Sequence, residues 1–170
     1  VNRSVISLGL TSIIFVALQL DIVSPLRVGG VVIMVIWLWP VAVGLTATRL
    51  EALFSGAFTG LLFDAHAATP LGLTGAIGVI LGLIASRLGQ EGIGDLDSAA
   101  WWVMPSLAAG AGFSAPLFFA LGGTLYGNLH FWRANLGVMM VVNAVAFFVL
   151  VRPLARLARR VSSNALSSLR

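Results

Sequence analysis

Six carboxylates and two histidines are all that this 170-residue chain offers for acid–base or metal chemistry, and it has no cysteine. Asp64 and His66 come closest to a pair, but two residues apart on a helix they point in different directions. No second ligand stands at metal spacing from His66, and His130 follows a Gly127-Asn128 turn, so neither reads as a metal ligand. A hydrolase would need a nucleophile with histidine or carboxylate partners. Asp21, Asp64, His66 and His130 are too scattered to supply them. There is no phosphate-binding glycine loop. The expectation is a non-enzymatic protein with no catalytic residues, no cofactor and no metal.

What remains for Asp64 is positioning. Ala52, Gly56, Gly60 and Asp64 recur every four residues, so they share one helix face. Three small residues in a row let another helix approach closely. Gly72, Gly75, Gly78 and Gly82 follow, and Gly78-x-x-x-Gly82 is a second close-approach pair; Gly123-x-x-x-Gly127 is a third. Counted from Arg49, Asp64 lies about 22 Å along its helix at ~1.5 Å per residue. A carboxylate at that depth in a membrane faces the bundle interior or a cavity, or meets outer water if its helix is tilted or short. Arg133 is a candidate partner by topology. Trp37 and Trp39, beside Pro40, fill a kink or stack a flat ligand.

The elements that carry these residues are apolar throughout. Hydrophobic residues make up 59% of the chain and charged ones 9%, which suits lipid better than water. Six apolar runs can be drawn, at about 4–20, 26–48, 50–68, 71–86, 99–125 and 134–151. They lack the alternation of barrel strands, so helices are expected. The first run follows Arg3 like a signal core, but its exit, Gln19-Leu20-Asp21, offers no small-residue cleavage site, and it is taken as a span. Ser24-Pro25 and Thr69-Pro70 mark the starts of spans two and four. Pro40 and Pro116 should kink spans two and five or break them locally. Only Thr48-Arg49 separates spans two and three, so five spans with one re-entrant element is the alternative. Trp101, Trp102 and Trp132 open spans five and six, where an aromatic belt belongs.

All ten basic residues are arginine. With a cytoplasmic N-terminus, Arg3, Arg49, Arg87, Arg152, Arg156, Arg159, Arg160 and Arg170 fall inside, and only Arg27 and Arg133 outside. The arginines thus act as interfacial topology markers and give no reason to expect nucleic acid. The chain divides into a bundle over 1–151 and a basic tail over 152–170. The tail reads as a topology anchor or as an amphipathic helix lying in the interface, with Leu154, Leu157 and Val161 on its apolar side.

The stretch from Gly56 to Gly72 reads Gly-Ala-Phe-Thr-Gly-Leu-Leu-Phe-Asp-Ala-His-Ala-Ala-Thr-Pro-Leu-Gly. It resembles the rod-shape-determining protein MreD family, in which a glycine-spaced helix ends in Gly-Leu-Leu-x-Asp before a short loop and Leu-Gly. Here those positions are Gly60, Leu61, Leu62, Asp64, Leu71 and Gly72. The resemblance covers about a tenth of the chain; elsewhere it rests on hydropathy, length and six spans. It implies a multi-pass protein of the bacterial cytoplasmic (inner) membrane. Its implied partners are MreC, directly, and RodA, a class B penicillin-binding protein and MreB in the wider assembly for side-wall peptidoglycan synthesis. The implied fold is an all-α six-helix bundle similar to the substrate-binding subunits of energy-coupling-factor vitamin transporters. Such a substrate subunit is the alternative function, with Gln19, Asp21, Asp64, His66, Asn128 and His130 for its pocket. On the favoured reading, Ala52, Gly56, Gly60, Asp64, Gly72, Gly78 and Gly82 form packing seams within the bundle or with the MreC helix.

Overall fold

A computed structural model describes residues 3–28, 30–67, 70–91, 103–125 and 136–167. The fold is all-α apart from one small hairpin, with six α-helices among the described residues. Helix α1 (Arg3–Ala17) runs on into a π-helical segment, Leu18–Val23. Two short antiparallel strands follow, β1 (Arg27–Val28) and β2 (Val31–Val32), with Val28 opposite Val31. A 3-10 turn at Val35–Trp37 leads into α2 (Leu38–Thr46). Then come α3 (Arg49–His66), α4 (Leu73–Glu91), α5 (Val103–Leu125) and α6 (Leu136–Ser167).

The expected helix over 26–48 needs correction. Its first part is the hairpin and an extended stretch, and helical structure begins only at Val35. Ser24-Pro25 therefore precedes a strand and starts no helix. Pro40 falls in the first turn of α2, where proline is tolerated and no kink is needed. Helix α5 continues through Pro116. Between α2 and α3 the chain breaks sharply. Thr48 caps α3, its hydroxyl accepting from the Glu51 amide at 3.3 Å while Glu51 Oε2 accepts from the Thr48 amide at 2.9 Å. This reciprocal pair satisfies two of the amides that a helix start leaves open.

Helix α2 is the centre of the molecule. Every residue from Val35 to Leu45 is buried, and α2 is packed by α3, α4 and α6. Phe15 of α1 stacks on Trp39, with ring centroids 5.0 Å apart, and Phe118 of α5 meets Trp37 edge-on. The tryptophans are thus held in the core by aromatic neighbours. The outer faces carry large apolar side chains: Ile6, Leu10, Ile13 and Ile14 on α1, Ile80 and Ile84 on α4, Phe113 and Leu117 on α5.

Among the described residues two helical stretches, Val5–Val23 and Leu136–Val161, are long and apolar enough to cross a membrane by length and composition. Val35–Thr46, Leu73–Gly89 and Leu107–Phe118 are shorter apolar helices. Helix α6 runs unbroken across the expected division at 151/152. Its Ala155 and Ala158 are buried in the same cluster as Leu45 and Ala85, with Leu154 and Val161 packed against it, and Leu157 is exposed. The apolar side of the basic segment is thus largely covered by the protein itself. Trp101, Trp102, Gly127, His130, Trp132, Arg133 and Arg170 lie outside the described residues.

Candidate functional site

The α3–α4 contact is the most extensive in the fold, and the glycine spacing explains how it forms. A Cβ added at Gly56 would lie 2.6 Å from the Gly78 carbonyl carbon and oxygen. At Gly60 it would overlap the Gly75 backbone, and at Gly82 it would sit 3.1 Å from the Ala52 oxygen. At Gly44 of α2 it would overlap the Gly82 carbonyl. The seam therefore joins three helices, with backbone against backbone where any side chain would hold them apart. Ala52, Gly56, Gly60, Gly78 and Gly82 all lie in it, buried.

Asp64 closes the end of this seam where α3 finishes and α4 begins. One turn beyond Gly60, it is 2% exposed, and its Oδ2 accepts hydrogen bonds from the amides of Gly72 (2.8 Å) and Thr74 (3.1 Å). These amides open α4. Gly72 occupies the position where a serine or aspartate would ordinarily cap the helix, and it has no side chain to do so. Its φ of +90° is one that glycine reaches without strain. The carboxylate of one helix thus caps the next, and negative charge at a helix N-terminus is favourable. Pro70, expected at the first helical position, precedes the helix and accepts from the Leu73 amide at 3.1 Å. Thr69 is outside the described residues.

A second polar constellation holds the hairpin. Gln19, fully buried in the π-helical segment, accepts from the amides of Val35 (2.7 Å) and Ile36 (3.3 Å) through Oε1 and donates to the Ile33 carbonyl (3.0 Å). Asn143, in the first quarter of α6, accepts from the Met34 amide at 2.7 Å and donates to the carbonyls of Val32 (3.3 Å) and Met139 (2.9 Å). Two side-chain amides thereby satisfy the backbone where the chain turns from extended to helical. Beside Asn143, a cavity of about 10 Å³ is lined by Met34, Trp37, Ala111 and Phe147, with room for one water at most. Asn143 escaped the sequence reading, although a lone amide in the apolar run Met139–Leu150 is the signal that marks it.

The other candidates stand apart. Asp21 is exposed on the π-helical segment, and His66 is exposed with its Nδ1 2.8 Å from the Leu62 carbonyl. Among the described residues no three histidine or acidic groups gather as metal ligands. Arg49, Arg87, Arg152, Arg156, Arg159 and Arg160 are all exposed. Comparison with protein-family models, with curated proteins and with solved structures finds no match.

Proposed function

We propose that this chain is a six-span protein of the bacterial cytoplasmic membrane, with both termini cytoplasmic, acting as a non-enzymatic scaffold of the MreD type. It binds MreC and supports the assembly of RodA, a class B penicillin-binding protein and MreB. The membrane placement is supported by the two long apolar helices and by the large apolar side chains on the outer faces.

The observation that carries the scaffold reading is the use made of the resemblance motif. Gly60, Asp64 and Gly72 act as one joint, with Gly60 admitting the α4 backbone and Asp64 capping the helix that Gly72 opens. A rigid joint suits a protein whose task is to present a fixed surface. The rival substrate-subunit reading needs polar groups that converge on a ligand. Gln19 and Asp64, the buried groups it would use, bind backbone amides of the fold itself. Because the glycine seam is filled by α2, α3 and α4, the MreC helix is assigned to an exposed apolar face.

The test is a pull-down of the tagged chain from native membranes, with mass spectrometry of the proteins recovered. MreC, RodA or a penicillin-binding protein is the expected catch. Recovery of transporter ATPases with their membrane coupling subunit would replace this reading with the substrate-subunit one.

A further inference from the structure

The exposed side of α6 changes character once along its length. Val138, Val141, Val145, Phe148 and Val149 are exposed and apolar. From Arg152 onward the same side presents Arg152, Arg156 and Arg159, with Arg160 at its edge, all exposed. These positions follow one another at three- and four-residue steps, so they form one continuous stripe. The opposite side shows no such change. Met139, Asn143, Phe147, Val151, Ala155 and Ala158 stay buried from one end to the other.

A stripe that is apolar over several turns and then abruptly cationic matches the passage from hydrocarbon to headgroups. The helix does not lie flat at that level, because Ala155 and Ala158 remain in the core with Leu45. The guanidinium side is left to meet the surroundings, together with exposed Pro153 and Leu157. A Cβ added at Gly89 would lie 2.7 Å from the Leu45 carbonyl oxygen, which places the end of α4, with exposed Arg87, beside the end of α2 and so near the start of α3, with exposed Arg49.

We propose that the arginine face of α6 binds the headgroups of anionic phospholipids. Guanidinium groups fork onto phosphate oxygens through paired N–H donors, and basic juxtamembrane segments concentrate acidic lipid. This inference rests on the membrane placement above but does not depend on the rod complex.

The test uses the purified full chain in an uncharged detergent. Thermal unfolding is followed with added phosphatidylglycerol, phosphatidylcholine or water-soluble glycerophosphate, at low and high salt. Phosphatidylglycerol is expected to raise the melting temperature by several degrees more than phosphatidylcholine, and high salt should shrink the difference. An Arg152→Gln/Arg156→Gln variant should lose most of that difference, and Arg152→Lys/Arg156→Lys, which keeps the charge without the fork, should fall between it and the parent chain. Equal effects of the two lipids on the parent chain would overturn the proposal, as would a full anionic increment in the glutamine variant. Glycerophosphate reproducing the increment would overturn the lipid as ligand. Alkaline carbonate extraction of membranes carrying the chain tests the underlying placement separately. Release into the supernatant would remove that placement, and retention with equal lipid effects would remove the headgroup site alone.

Discussion

At the residue scale, Asp64 stands in for a side chain that Gly72 lacks. Both bonds to the α4 amides use one oxygen, and asparagine keeps one acceptor oxygen. Asp64→Asn should therefore cost about 1 kcal/mol or less, chiefly the lost charge at the helix end. Asp64→Leu leaves buried amides without an acceptor and should cost about 1–3 kcal/mol. Unfolding of the two variants in mixed micelles separates these outcomes, and equal losses would remove hydrogen bonding as the role of the residue. The glycines divide in a similar way. A Cβ at Gly75 meets its nearest neighbour at 3.5 Å, whereas at Gly60 it collides with the facing backbone. Gly75→Ala should be tolerated, while Gly60→Ala should cost about 1–3 kcal/mol by forcing α3 and α4 apart; the same unfolding assay ranks them. The four-residue spacing of Gly56, Gly60 and Asp64 was legible in the sequence. Which glycine of the facing helix sits under which was not, because the register depends on how two whole helices cross.

At the element scale, the hairpin and α2 depend on two amides that come from opposite ends of the chain. Gln19 and Asn143 bind adjacent backbone groups between Val32 and Ile36. Gln19→Leu and Asn143→Leu should each cost about 1–3 kcal/mol, since each strands a buried amide. Because they hold one segment, the double variant should depart from additivity by more than about 0.5 kcal/mol. A strictly additive cycle from the same denaturation series would show that the two clamps are independent. The segment misled the sequence reading for a physical reason. Leu26, Val28, Val31, Val32, Ile33 and Met34 are as apolar as any spanning helix, and hydropathy does not distinguish a helix from a protein-lined hairpin. The available signals were local: the Gly29-Gly30 pair between β-branched residues, and Thr48-x-x-Glu51, a capping box that starts α3. The helical character of α3, α4, α5 and α6 was legible from their long apolar runs.

At the scale of the whole molecule, the shortness of Val35–Thr46 decides how the chain sits in a bilayer. At ~1.5 Å per residue it is about 18 Å long, against a hydrocarbon core of about 30 Å. The hairpin must occupy the remaining depth or the water above it. Extended backbone is tolerated at membrane depth only where protein satisfies it, which Gln19 and Asn143 do. On the proposed six-span placement the second apolar run would cross as a hairpin plus a half-length helix, with Arg27 and Val28 on the outer side. Helices α3 and α4 lie antiparallel across the glycine seam, so exposed Leu50 and exposed Leu71 are at opposite ends. The chain contains no cysteine, so each introduced thiol reports alone. In intact cells stripped of the outer wall, a membrane-impermeant maleimide should label Val28→Cys and Leu71→Cys. Leu50→Cys and Arg156→Cys should label only after the membrane is opened. Labelling of Val28→Cys and Leu50→Cys from one side would mean that the hairpin and α2 enter and leave the same face. The number of crossings would then be odd, and the arginines of α6 would lie on the face opposite Arg3.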